Sequence, residues 1–364
     1  MIELSSERNN AIDFIKCYAG FSVVCLHTAP FLNSTFSSGK YVFFIIDTLA
    51  RFAVPFFFIV SGFLFVKKII INKDNSSAYF FKYSKRIAKL YFGWTLFYFL
   101  YYMLRALFES YLTHTPFSSP YIPEWSTIPI LKLIAHIFYL GYTGIHLWYL
   151  IALLWSMPLL FIFIKYQKLN TLLVISLILH IIGLLGNSYQ GIMHLHIPTR
   201  NAMFFGLFYC TLGGFFAYYE RLIQQKISEV EGSTFGWLFW LFCVIQLLER
   251  SILVNYFHGT INDEFFITTI PLSICIFFWA ISKEGKFNKS SITVIGEKSL
   301  DIYVIHLFFL SAFGDLAAKI GWVPGATIYE LLFTPFIFAV SYFWCLCSEK
   351  TKLWLNLYKG TIQK

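Results

Sequence analysis

The sequence predicts an all-α integral membrane protein, a bundle of about ten transmembrane helices with both ends in the cytoplasm. Three observations predict it. First, 58% of the 364 residues are hydrophobic, 21% are aromatic and only 13% are charged, whereas about a quarter of an ordinary soluble chain is charged. Second, the apolar residues run in stretches long enough to cross about 30 Å of hydrocarbon at 1.5 Å per residue. The stretches do not alternate polar with apolar as barrel strands do, so helices are predicted. Third, the basic residues fall on alternate connections. The expected inner segments hold Arg8, the run from Lys67 to Lys89, the pairs Lys165/Lys168 and Arg221/Lys226, then Lys283, Lys286 and Lys289, and the C-terminal lysines. The net charge of +9 is therefore a topology signal. No basic soluble face is left for nucleic acid, so none is expected as a partner.

In chain order, the spans are expected at residues 11–32, 41–66, 87–108, 145–164, 170–187, 200–219, 234–254, 265–282, 299–315 and 326–347. The first is too long, and with Asp13, Lys16 and His27 too polar, for a cleaved signal peptide, so it is expected to stay as a helix. The second carries Asp47, Arg51, Pro55 and Ser61-Gly62. A kink is expected at Pro55, and either a close helix approach or a break at Ser61-Gly62. Between the third and fourth spans, Pro116, Pro120, Pro123 and Pro129 argue against continuous helix, and the later part, 128–140, reads as a short interfacial helix. The sixth span repeats Gly206, Cys210 and Gly214 at four-residue spacing, a small-residue face for helix contact. The whole chain, 1–364, reads as one membrane domain. All seven cysteines lie in apolar spans and are expected as packing residues, with no metal site.

Ionisable residues inside spans cost roughly 2.5–3.5 kcal/mol each at mid-bilayer and so mark functional positions. Lys16 and His27 are eleven residues apart, about 20° past three full turns, so they share one face of the first helix about 16 Å apart. Asp13, three residues before Lys16, can pair with it. A histidine suits proton transfer near neutral pH, although a snorkelling lysine and a hydrogen-bonded structural histidine answer the same pattern. Arg51 needs an anionic partner or water, and Asp47 is one turn away. His146 and Trp148 open the fourth span, Glu249 and Arg250 end the seventh, and His306 sits mid-way in the ninth. His194, His196 and His258 lie in connections and lack the carboxylates that would complete a metal site.

Together four ordered segments resemble the acyltransferase-three family of polytopic membrane acyltransferases. They are Lys16 followed by ten residues and His27; Arg51-Phe-Ala-Val-Pro-Phe-Phe-Phe-Ile-Val-Ser-Gly-Phe-Leu64; His146-Leu-Trp-Tyr-Leu-Ile-Ala-Leu-Leu154; and Ser299-Leu-Asp-Ile-Tyr-Val-Ile-His306. The chain looks most like the stand-alone members that O-acetylate bacterial surface polysaccharides. Lysine at 16, where many members have arginine, replaces a bidentate fork by a point charge. The resemblance implies a bacterial inner-membrane enzyme that moves an acyl group, usually acetyl, from cytoplasmic acetyl-CoA to a hydroxyl of a lipid-linked or surface glycan. It implies His27 as general base or acyl carrier, with Asp13 orienting Lys16. Lys16, Arg51, Lys82, Lys85 and Arg86 would hold the donor phosphates, or Arg51 would stabilise the oxyanion. His146, Trp148, Glu249 and His306 would line the acceptor side. The alternative reading is a transporter or flippase for a lipid-linked glycan or organic acid. A non-catalytic partner of a surface-polymer assembly is the third, and the oligomeric state stays open.

Overall fold

A computed structural model describes residues 9–362 except 115–128, 142–143, 194, 196, 261–262 and 323–324. Among the described residues the chain is helical without strands. In order the helices are α1 (Asn10–Thr28), α2 (Gly39–Ala50), α3 (Ala53–Ile71), α4 (Ser76–Thr113), α5 (Ile130–Ala135), α6 (Trp148–Lys165) and α7 (Leu169–Leu185). They continue as α8 (Leu207–Tyr218), α9 (Glu220–Ser228), α10 (Gly232–Tyr256), α11 (Thr269–Ser282), α12 (Ser291–Glu297), α13 (Ser299–Lys319) and α14 (Thr327–Ile362). Short π-helical segments at His136–Leu140 and Ala202–Gly206 extend α5 and precede α8.

Each of the ten expected spans coincides with a helix. Six of the described helical segments are long and apolar enough to cross a bilayer alone: Asn10–Thr28, Gly39–Ile71, Trp148–Lys165, Gly232–Tyr256, Ser299–Lys319 and Thr327–Thr351. A seventh forms if α8 is taken with α9, although the chain bends by 79° between them, and Leu169–Leu185 and Thr269–Ser282 are shorter apolar helices. Val174, Trp237, Val244 and Phe343 are exposed on these helices, as expected where lipid is the solvent. The chain is a multi-pass membrane protein. Two local expectations are sharpened. The second span is interrupted at Arg51-Phe52, one turn before Pro55, where a proline ring meets the carbonyl of the preceding turn. Pro55 sits in the first turn of α3, where its missing N–H leaves no helical bond unmade. At Ser61-Gly62 the helix runs on, and of the two alternatives the glycine serves close approach. The expected interfacial helix at 128–140 forms as α5 and its π-helical extension, while Pro116, Pro120 and Pro123 lie outside the described residues.

The chain divides into two units. One comprises Val54–Thr234 and Leu248–Ile270. In it α8 packs on α3, α6 and α7 through its small-residue face. A Cβ on Gly62 would lie 2.0 Å from the Cys210 carbonyl oxygen, and one on Gly213 would lie 1.9 Å from that of Ile59. Lys67 and Glu220 close an ion pair of 2.7 Å where α3 ends and α9 begins. The other unit comprises Glu7–Ala53, Phe235–Leu247 and Pro271–Lys364. There α1 is the central element, packed by α2, α12, α13 and α14. A Cβ on Gly296 of α12 would lie 1.7 Å from the Asp13 carbonyl oxygen, so backbone meets backbone at that crossing. Five of the seven cysteines are buried, and all seven are free thiols.

Candidate active site

The candidate site is built on α1. Asn9 starts the helix, its side chain accepting the Ala11 and Ile12 N–H groups at 3.0 and 3.1 Å. One turn on, Lys16 Nζ donates to Asp13 Oδ1 at 3.1 Å, with the Asp13 side chain only 2% exposed. The pairing expected from the i,i+3 spacing is present. At the far end of α1, His27 lies half-buried beside His306 of α13, ring centroids 5.1 Å apart and inclined by 43°. His306 is fully buried. Its Nδ1 is 2.7 Å from the Tyr303 carbonyl oxygen, which only accepts, so Nδ1 carries the proton. In the neutral ring Nε2 then carries the lone pair.

Two histidines from separate motifs thus meet, and neither motif alone reveals it. His306, expected on the acceptor side, belongs to the immediate surroundings of His27. The end of α1 is anchored nearby: the Thr28 hydroxyl is 2.7 Å from that of Thr334 in α14. Below it Val24 joins an apolar cluster with Ala317, Tyr329, Phe333 and Ile337, flanked by Phe309, Phe313 and Trp322.

Arg51 occupies the turn between α2 and α3, and its Nε and Nη2 both donate to the Asp47 carboxylate at 2.9–3.1 Å. One edge of the guanidinium is therefore committed to a nearly buried carboxylate. Behind it, Gln246 of α10 donates to the Thr48 carbonyl at 2.9 Å.

The other expected residues lie in the other unit. His146 is fully buried with its ring edge-on to Tyr98, centroids 5.1 Å apart. The Trp148 ring is met by Phe58 and Phe205, and the Arg200 guanidinium sits 5.8 Å from its centroid. Arg200 in turn pairs with Glu264 at 3.1 Å. The Trp148 face expected to stack on a sugar is thus covered by a cation. Glu249 is likewise occupied. Its two oxygens accept from the Tyr189 and Thr268 hydroxyls and from the backbone N–H groups of Ile267 (2.8 Å) and Thr268 (3.0 Å). It fastens the segment entering α11. Burial, with Glu249 alongside, pushes the Tyr189 phenol well above its usual value. Lys82, Lys85 and Arg86 are exposed near the start of α4, with Arg86 over the Tyr83 ring at 5.5 Å. His194 and His196 lie outside the described residues.

Three polar residues went unmarked in the sequence. His180 in α7 is fully buried, its Nδ1 2.9 Å from the Phe204 carbonyl oxygen in the π-helical segment before α8. Glu220 is the buried partner of Lys67. Glu330 is buried at the start of α14. The intramembrane-charge test applied to Lys16 would also have flagged His180; the two glutamates sit at span ends, where that test is silent.

Comparison with known proteins agrees with the chain-wide reading. A family profile described as an acyltransferase domain matches residues 9–349. An amino-acid racemase of Enterococcus faecalis is 26% identical over 297 residues, 77% of this chain and 37% of the relative. A serine/alanine racemase of Enterococcus gallinarum is 25% identical over 344 residues, 89% of this chain and 44% of the relative. The chain spans less than half the length of these curated relatives. No solved structure matches it. With the profile covering the helical core from the first turn of α1 into α14, the chain belongs to the acyltransferase-3 family.

Proposed function

We propose that this protein is a multi-pass O-acyltransferase of a bacterial inner membrane, crossing it about ten times with both ends cytoplasmic. It moves an acetyl group from cytoplasmic acyl-CoA to a hydroxyl of a cell-surface or lipid-linked glycan. The observation that carries the reading is the His27–His306 pair, 5.1 Å apart, within a chain of the acyltransferase-3 family. In the proposed reaction an imidazole nitrogen of His27 takes the proton of the acceptor hydroxyl as its oxygen attacks the thioester carbonyl. The C–O bond forms, the C–S bond breaks, and the proton passes to the departing thiolate. His306, held as the Nδ1–H tautomer by Tyr303, steadies the ring of His27 through that change of charge. Lys16, oriented by Asp13, and Arg51 supply positive charge for the donor's phosphates. A direct transfer is favoured over an acyl-histidine intermediate, because the base role asks only for the geometry described.

The test is mass spectrometry of surface glycans from cells with wild type, His27→Ala or neither, at matched membrane levels and with the native acceptor present. An acetyl increment that needs His27 is expected. An increment that survives His27→Ala removes the mechanism but keeps the enzyme. No increment at all sinks the reading in favour of the second one, a transporter or flippase for a lipid-linked glycan or organic acid. One finding favours that second reading: the matched relatives are named for acting on amino acids, and this chain matches under half of each.

A further inference from the structure

The turn that follows His27 is unusual in its backbone. Ala29 and Phe31 both hold positive φ, 46° and 67°, a conformation that a bulky side chain rarely adopts without external restraint. Ala29 is the left-handed cap of α1, its N–H bonded to the Cys25 carbonyl oxygen at 2.9 Å, and Phe31 is restrained by a single carboxylate. Glu330 Oε2 accepts the Phe31 N–H at 2.6 Å, and Glu330 Oε1 accepts the Gly325 N–H at 3.0 Å. The Gly325 carbonyl oxygen takes the Thr35 N–H at 2.9 Å and the Thr35 hydroxyl at 3.0 Å. Gly325 is held at φ 108°, where a Cβ would lie 2.8 Å from the Asn33 carbonyl oxygen. The two loops that close this end of α1 and α14 are therefore tied at Glu330, three residues along from where α14 begins and four residues beyond His27 at Phe31.

We propose that Glu330 is a positioning residue of the active site. By accepting both N–H groups it fixes the turn in which α1 ends, and with it the height and azimuth of His27 against His306. The chemistry of the clasp demands a carboxylate, because two donors converge on one side chain and only two acceptor oxygens satisfy both. Glutamine has the same shape but offers one oxygen and one NH2, so one backbone N–H would face another donor. The catalytic part of this inference rests on the acyltransferase reading; the clasp itself does not.

The experiment is hydrogen–deuterium exchange on purified wild type and Glu330→Gln in lipid nanodiscs, followed through peptides covering 29–38, combined with kcat and KM for acyl transfer. Wild type is expected to protect the Phe31 and Thr35 amides. Glu330→Gln should exchange there about tenfold faster or more while peptides from α12 and α13 keep their rates. In the same variant kcat should fall with the KM for donor little changed, since the donor's own contacts are untouched. Unprotected amides in wild type, which needs no variant to fold, overturn the clasp, as does unchanged exchange in Glu330→Gln. A loosened turn with normal kcat overturns the positioning role. If the turn loosens as expected but wild type acylates nothing, the clasp stands and the enzyme reading falls.

Discussion

His306 separates structural from chemical roles within one ring. Its Nδ1 serves the Tyr303 carbonyl, a bond that asparagine's side-chain amide can reproduce, whereas Nε2 has no counterpart in asparagine. His306→Asn is therefore expected to leave membrane level and thermal stability near wild type while lowering kcat by about tenfold or more. Equal activity would reduce His306 to packing. For His27 the expected loss is larger, about 10²–10⁴-fold, the usual range for removing a general base. Asp13 belongs at the same scale. It is almost fully buried and paired with Lys16, so Asp13→Asn strands a partly buried ammonium, and removing one partner of such a pair costs about 3–5 kcal/mol when burial is complete. A clear fall in melting temperature is expected.

At the scale of elements, helix contact through glycine decides stability. Gly62→Ala and Gly213→Ala would each drive a methyl group into a backbone carbonyl, at 2.0 and 1.9 Å, which neither helix can relieve by rotating a side chain. Each should cost at least about 1–3 kcal/mol by overpacking. Gly93→Ala in α4 is the control: nothing lies within 4 Å of the added methyl, and alanine favours helix by about 0.5–1 kcal/mol. Melting curves in detergent should show the first two lowered and the third unchanged or raised. Unchanged melting in Gly62→Ala would mean that α3 and α8 are not packed backbone to backbone. Element boundaries also show what the sequence conveys. Four-residue spacing of Gly206, Cys210 and Gly214 announced a small-residue face, and that face does pack closely. Pro55 pointed to the right place, because a proline ring meets the carbonyl of the residue four before it, and that residue is Arg51, where α2 ends. The break itself falls at Arg51-Phe52, residues with no helix-breaking character of their own, one turn before the proline that cannot bond to the Arg51 carbonyl.

For the molecule as a whole, the testable quantity is topology. The basic inner segments predict that reporter fusions at residue 168 and at the C-terminus are cytoplasmic, while one at Lys40 is exported. A C-terminal reporter found outside would mean an odd number of crossings and would remove the ten-helix arrangement. Six helices satisfy length and hydropathy alone; α7 and α11 are short, and α4 begins with cations, so reporters must decide whether those helices cross.

Composition, span lengths and the four ordered motifs determined that this is a helical membrane protein of its family, because the cost of apolar surface in water and of unpaired backbone in lipid is written in residue type alone. The face shared by Lys16 and His27 was legible too, since helical periodicity is local, and so was the pairing of Lys16 with Asp13 and of Arg51 with Asp47, one turn apart. Tertiary structure alone decided the rest. That His306 meets His27, that Arg200 covers Trp148, that Glu249 is occupied by α11's entry segment, and that Glu330 holds the turn after His27 all join residues 18 to 299 positions apart. Such contacts follow from which helix faces which, and a side chain's own chemistry sets what it can bind but not what is brought to it.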